Sequence, residues 1–327
     1  MRITRMAAVA VVAAAGLALA ACSSEGLGEG GASPDPDAGG SAELIPVTVG
    51  LLPIAPAAAV QLGIDEGIFA EHGLDVTVEI GQGGAALLPA VSSGSIEFAV
   101  GNPLSVLVAA SQGLEMSIIA GYSRITEPAP SGIVVLESSG IETWSDLEGK
   151  TVALNAVNTQ GDLTTMAMVE EDGGNPENVT FTEIAFPDQL AQLEQGRIDA
   201  SWVPEPFLST SLASEGAAFL GDPLAAIDDL YTMVTFTSTA YAEANPEIVE
   251  AFAAAISEST ALAMDDTDLY REAIVGFTGM PADVVADIRL ERLSGDLDRA
   301  TIEELSALAL KYGFIASEPD LDVVIWQ

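Results

Sequence analysis

The sequence predicts an α/β protein built as two similar lobes, and three observations carry that expectation. From Val47 to Phe236 short β-like runs alternate with helical stretches, the spacing that produces a parallel sheet covered by helices. Within that region the chain nearly repeats itself. Gly94-Ser95-Ile96-Glu97 leading to Pro103, and Gly196-Arg197-Ile198-Asp199 leading to Pro204, each read as a helix-ending glycine, an isoleucine, an acid, a β-run and a proline-started helix. About three hundred residues remain after an N-terminal leader, enough for two medium domains with their own cores.

The leader comes first. Met1–Arg5 carries two arginines, and Met6–Ala21 is apolar with small residues at its end, too short and too alanine-rich for a permanent span, so residues 1–21 read as a signal peptide. Leu19-Ala20-Ala21-Cys22 resembles the bacterial lipobox, in which the cysteine becomes the lipidated first residue of the mature chain. Cys22 is the single cysteine, and with it spent on lipid no thiol is expected for a disulfide, a thiolate metal site or a cysteine nucleophile. Residues 22–45 are rich in Gly, Ser, Pro, Asp and Glu and read as a lipidated flexible linker, with a typical span of roughly 25 Å. The expected location is the extracytoplasmic face of the cell membrane, held by lipid.

Strands are expected at Val47–Leu52, Leu74–Ile80, Glu97–Val100, Met116–Tyr122, Ile133–Leu136, Thr151–Leu154, Val179–Ile184, Ile198–Val203 and Tyr231–Phe236. Helices are expected near Ala57–Phe69, Ala85–Ser93, Pro103–Gln112, Leu163–Glu171, Gln189–Glu194 and Glu205–Ser214. After Phe236 the pattern is helical only, over Pro246–Met264, Asp268–Phe277, Pro281–Arg289 and Asp298–Tyr312.

The formal charge is −39, and Arg2 and Arg5 leave with the signal, making the mature chain two charges more negative. Such a chain is repelled by phosphate backbones and anionic headgroups, so nucleic acid is excluded as a partner. Lys150 and Lys311 are the only lysines, which fits an acidic solubilised surface. His72, the one histidine, follows a helix in Glu71-His72-Gly73 and reads as a cap that offsets the dipole. Gly81-x-Gly83-x-x-Ala86 matches the dinucleotide fingerprint, but the acid expected at the end of the next strand is missing. No cofactor and no metal site is expected.

Ligands of open α/β sheets bind beyond the carboxyl ends of the strands, where helix N-termini offer unpaired N–H groups. Those ends supply the candidates. In the first lobe they are Pro53 and Ala55, the Gly83-Gly84 turn, Asn102, and Tyr122 with Arg124. In the second they are Asn155 to Asp162, including Thr159 and Gly161, then Phe186, Trp202 and Glu205.

Read together, these residues resemble the substrate-binding lipoproteins of bacterial import ATPases for nitrate, sulfonates, taurine and thiamine-precursor pyrimidines. The resemblance rests on Val47-Thr48-Val49-Gly50, Gly67-Ile68-Phe69 through Gly73-Leu74-Asp75-Val76, and Gly94-Ser95-Ile96-Glu97. It continues in Trp144-Ser145-Asp146-Leu147-Glu148-Gly149-Lys150, Gly196-Arg197-Ile198-Asp199-Ala200 with Glu205-Pro206, and Asn245-Pro246-Glu247 through Phe252. It implies a periplasmic-binding-protein type II fold, two α/β lobes around a hinged cleft. Lobe one is then 46–124 plus 240–327 and lobe two 125–239, with crossings near Ser123–Ser131 and Thr232–Thr239. It also implies a non-enzymatic role: capture of a small molecule and delivery to the membrane permease and ATPase subunits of an ABC importer. The relatives that make the thiamine pyrimidine on this frame carry a cysteine-rich iron motif and reactive histidines, whereas this chain has one cysteine and one histidine.

The expected ligand is a small organic or inorganic anion, and the alternative is a pyrimidine or other planar ring. A sulfonate, nitrate or taurine-like anion needs donors, for which Thr159, Gly161, Thr164, Gly83-Gly84 and Arg124 stand ready. Arg124 fits equally a surface pair with Glu127. A pyrimidine or other planar ring would stack on Tyr122, Phe186 and Trp202, with Glu205 or Asp162 as acceptors. Trp202 fits a stacking platform or core packing alike.

Overall fold

The computed structural model describes residues 43–81 and 84–326. The expected signal peptide, Cys22, nearly all of the linker, and Gly83 lie outside the described residues. The strands are β1 (Ile45–Leu51), β2 (Leu74–Ile80), β3 (Phe98–Gly101), β4 (Met116–Arg124), β5 (Ser131–Leu136), β6 (Thr151–Leu154), β7 (Thr180–Glu183), β8 (Ala200–Pro204), β9 (Ala217–Gly221), β10 (Tyr231–Ser238) and β11 (Arg292–Leu293). They form two sheets, ordered β11-β4-β10-β3-β1-β2 and β9-β5-β8-β6-β7.

The two sheets share one plan. In each, a first strand (β1 or β6) lies between two parallel neighbours, and the next strand outward is antiparallel, β10 beside β3 and β5 beside β8. The sheets are therefore mixed rather than wholly parallel. The near-repeat falls on β3 and β8, and the structure shows what its residues do. Gly94 and Gly196 adopt φ of 70° and 65°, the left-handed turn after a helix that glycine enters without steric penalty. The acids then staple neighbouring strands. Glu97 accepts a hydrogen bond from Thr48 N–H at 2.7 Å, and Asp199 accepts one from Thr151 N–H at 2.8 Å.

Two expectations need correction. Tyr231–Ser238 is a strand of the first sheet, paired with β3 and β4, so the return crossing is the stretch 222–230 and not Thr232–Thr239, while the outward crossing is 125–130. Strands also do not stop at Phe236, since β11 pairs with the edge of β4. β9 was not expected either. It is a half-exposed edge strand whose short Ala-Ala-Phe-Leu-Gly run has no alternation to betray it.

The expected helix Ala57–Phe69 is broken. It runs as Ala58–Asp65 and Ile68–Glu71, split at Gly67, whose φ is 81°. The C-terminal helices Pro246–Asp265 and Thr267–Thr278 pack against the first of these. One large apolar core fills the first lobe and continues across the cleft into the second, taking in Val134, Ala153, Leu163, Leu193 and Val203, and a smaller one under Trp144, Phe181 and Trp202 lies in the second lobe alone. No described helix is long and apolar enough to cross a membrane.

Candidate functional site

Strand direction decides what meets in the cleft. The parallel strands β1, β3, β6 and β8 bring their carboxyl ends to it. Because β5 and β10 run the other way, their amino ends, Ser131 and Thr232-Met233, arrive at the same edge. A cavity of about 60 Å³ lies there. By the measure in which one water needs about 10–15 Å³, it has room for about four. Its apolar wall includes Leu52, Ile54, Phe186, Trp202, Pro204, Leu224 and Met233, and its polar groups include Asn102, Ser131, Asn155, Thr159, Gln160, Thr232 and Glu291. Among the described residues no lysine or arginine lines it.

Six of the expected residues meet here: Asn102, Asn155, Thr159, Gly161, Phe186 and Trp202. Asn102 caps the helix Pro103–Ser111, its Oδ1 accepting from Ser105 N–H at 2.9 Å. Phe186 and Trp202 form an aromatic corner, with ring centroids 6.0 Å apart at 54°, and Phe207 backs Phe186 at 5.6 Å. Gly161 is required by the corner. A Cβ there would fall 2.6 Å from a Leu154 methyl and 3.4 Å from the indole, so its absence lets the helix Gln160–Glu171 start against Trp202.

The others do different work. Tyr122 is wholly buried and donates to the Pro56 carbonyl at 2.7 Å, so it is core rather than a stacking face, and burial holds its hydroxyl far above the ordinary tyrosine range. Arg124 stacks 3.9 Å over the Tyr231 ring and bonds the Tyr231 hydroxyl and the Asp229 carboxylate. Its partner is therefore Asp229 on the return crossing, neither Glu127 nor a ligand in the cavity. Asp162 turns back onto its own helix start, accepting from Asn158 N–H at 2.6 Å and Thr159 N–H at 2.8 Å. Burial still pushes its carboxyl up to about 6.

That last contact matters for the ligand. The helix N-terminus expected to seat an anion already holds a carboxylate, and Thr164 spends its hydroxyl on the Gln160 carbonyl at 2.8 Å. Glu205 accepts from Ser209 N–H, the Ser209 hydroxyl and Arg289 N–H, which caps the helix Phe207–Leu212 and ties the second lobe to the C-terminal segment. Pro53 is half-buried outside the cavity between its neighbours Leu52 and Ile54, which line it. Ala55 donates its N–H to the Glu205 carbonyl at 3.2 Å, a bond between lobes. Gly84 opens the helix Gly84–Ser92.

Three lining residues with polar reach escaped the sequence reading: Ser131, Thr232 and Glu291. Gln160 lies inside the expected stretch Asn155 to Asp162, one position before Gly161 at a helix start. Ser131 and Thr232 begin antiparallel strands, and Glu291 comes from a segment with no motif. Among the described residues no group of three or more His, Cys, Asp or Glu is placed to hold a metal ion.

With this geometry in hand, the comparisons place the chain among known proteins. It is 27% identical over 207 residues, 62% of its length, to a candidate aliphatic sulfonates-binding protein of Escherichia coli (strain K12). It is 24% identical over 213 residues, 64% of its length, to the formylaminopyrimidine-binding protein of Halalkalibacterium halodurans. The chain spans 62% and 63% of the length of these two relatives. The crystal structure of the periplasmic aliphatic sulphonate binding protein of Escherichia coli superposes with a TM-score of 0.72 at 20% identity, covering 86% of this chain and 98% of that one. That likeness shows the two-lobe fold of periplasmic binding proteins. The family description "NMT1/THI5 like" matches residues 57–268, which takes in the whole second sheet, strands β2, β3, β4 and β10 of the first and the aromatic corner, and the chain belongs to that family.

Proposed function

We propose that this protein is the extracytoplasmic solute-binding component of an ABC importer, closing its two lobes on a small planar ring and delivering it to a membrane permease. The observation that carries the reading is the cavity itself: two aromatic rings from the second lobe, Phe186 and Trp202, facing the first lobe, with no basic side chain among the described lining residues. Stacking suits a flat π system. A sulfonate or nitrate, by contrast, would meet no cation and a helix start already capped by Asp162. The pyrimidine ligand in the name of the Halalkalibacterium relative is of the favoured class. Sulfonate capture is the second reading, favoured by the name of the Escherichia coli relative.

A thermal-shift panel of sulfonates, nitrate, aromatic acids and pyrimidines separates the two, since a ligand at a hundredfold excess over its Kd stabilises by about 2.7 kcal/mol. Trp202→Ala is expected to weaken a ring-bearing ligand about tenfold, the loss of one stacking face. Calorimetry checks it, and unchanged affinity in a folded variant would place the ring elsewhere.

Lipid anchoring at Cys22 is part of the same proposal, resting on Leu19-Ala20-Ala21-Cys22. Cys22→Ala is expected to release the protein from the membrane fraction, because the acidic body has no electrostatic attraction to headgroups. A variant that still fractionates with membranes through lipid removes the anchor from the account.

A further inference from the structure

Two acceptors in the cavity are held on one side by a single strand start. Gln160 is almost fully buried, and its Nε2 donates to the Tyr231 carbonyl at 2.7 Å. That bond fixes the amide orientation, because the atom facing a carbonyl must be the N–H₂. The other atom, Oε1, has no hydrogen-bond partner. An unpaired buried acceptor is unfavourable, so it calls for a donor.

The next residue along the strand, Thr232, donates its hydroxyl to the Glu291 carboxylate and meets the Ser123 hydroxyl. Glu291 lines the same cavity and is buried. A carboxylate can accept about four hydrogen bonds, so two hydroxyls leave it capacity. Ser131, which lines the cavity, donates its hydroxyl to the Asp222 carboxyl at 3.0 Å. The arginines of this region are engaged elsewhere: Arg124 and Arg292 with Asp229, and Arg289 with the Ala129 carbonyl.

We infer that Glu291 and Gln160 form a paired acceptor that selects a positively charged ligand bearing N–H donors, an amidinium or protonated amino-heterocycle, and rejects anions. The inference rests on the cavity being the ligand site and adds the charge of the ligand to it. A flat cation with two N–H groups satisfies both acceptors, while its ring lies against Phe186 and Trp202, where a cation also gains from the aromatic faces. Burial without a neighbouring cation pushes the Glu291 carboxyl up, an unfavourable state that a bound cation relieves. A sulfonate could take the Trp202 indole N–H, which is also without a partner, but it presents its other oxygens to the Gln160 acceptor and negative charge to Glu291.

Three compounds of matched size test this on the purified full chain by calorimetry: benzamidinium, neutral benzamide and benzenesulfonate. Benzamidinium is expected to bind at least tenfold tighter than benzamide, and benzenesulfonate not at all, because hydrogen bonds to charged groups are the stronger ones. Glu291→Gln, which keeps the shape and an acceptor for Thr232, is expected to abolish the preference for the cation. Glu291→Asp, which keeps the charge, is expected to retain it. Thermal melts on both variants establish that the fold is kept. Equal binding of all three compounds, tighter binding of benzenesulfonate, or a preference for benzamidinium that survives Glu291→Gln overturns the charge inference and leaves ring capture standing. No binding of any of the three overturns both.

Discussion

Phe252→Ala is expected to lower the free energy of unfolding by about 3–5 kcal/mol, the usual result of truncating a wholly buried aromatic. Phe252 lies in the helix Pro246–Asp265 and is fully shielded from solvent. Its ring stacks on Phe98 with centroids 3.9 Å apart and planes 6° apart, and meets Phe69 at 5.4 Å. The three rings join strand β3, the helix Ile68–Glu71 and the C-terminal helical tail, so one truncation loosens three elements at once. Chemical denaturation with an unchanged denaturant slope would report the loss. A drop below about 1 kcal/mol would mean the tail collapses onto the gap and is not held by this cluster. The same contact explains part of the family resemblance: Phe252 closes the Asn245-Pro246-Glu247 motif and Phe98 follows Gly94-Ser95-Ile96-Glu97, and the two motifs meet as stacked rings.

Asp222→Asn is expected to stabilise the protein above pH 7 and to change little near pH 4. Asp222 opens the return crossing, accepting from Leu224 N–H and from the Ser131 hydroxyl, both at 3.0 Å. Burial pushes its carboxyl from 3.8 up to about 7, and the charges of Glu291 and Glu127 push the same way. A group that holds its proton more tightly when folded contributes stability that is complete below its unfolded pKa. That contribution is lost as pH rises through the folded value, here between about 4 and about 7. Each tenfold difference in proton affinity is worth about 1.4 kcal/mol, so a fully dry site would lose about 4 kcal/mol by pH 8. The side chain is partly exposed, and solvent screening reduces this to about 2 kcal/mol.

Asparagine keeps the geometry, its oxygen accepting from Leu224 and its amide donating to the serine. Exposed carboxylates such as Asp146 and Asp172, whose backbone hydrogen bonds hold them below the usual range, oppose the trend in both proteins and cancel in the difference. Denaturation of wild type and variant at pH 4 and pH 8 is the measurement. A gap that is constant or narrows with pH would mean Asp222 is ionised at no cost to the fold.

Much of the fold is written locally. The proline starts, the glycine stops and the alternation of β-runs with helices place most strands within two or three residues, because those signals act through backbone dihedrals and side-chain period and need no distant partner. The near-repeat names β3 and β8 for the same reason: its glycine and its acid each serve a contact within their own lobe, although Pro103 starts a helix while Pro204 ends β8 and the next helix begins at Phe207. The aromatic corner is legible too, since Phe186 and Trp202 stand at strand ends that any parallel unit turns toward its cleft.

What the sequence could not state is which polar groups face one another across that cleft. Tyr122 and Phe186 are both aromatic residues at strand ends, yet one is sealed in the core by a bond to the Pro56 carbonyl and the other lines the cavity. The difference lies in which helix packs over each strand end. Asp162 and Glu205 looked like ligand acceptors and serve their own helices, whereas Glu291, which carries no motif, reaches the cavity from more than fifty positions beyond the strand that holds it. By itself the sequence determined the class of fold and the lobed plan, both properties of short windows. The polar lining and the charge of the site were decided only by tertiary structure, because a buried carboxylate takes its partners from whatever the chain folds against it.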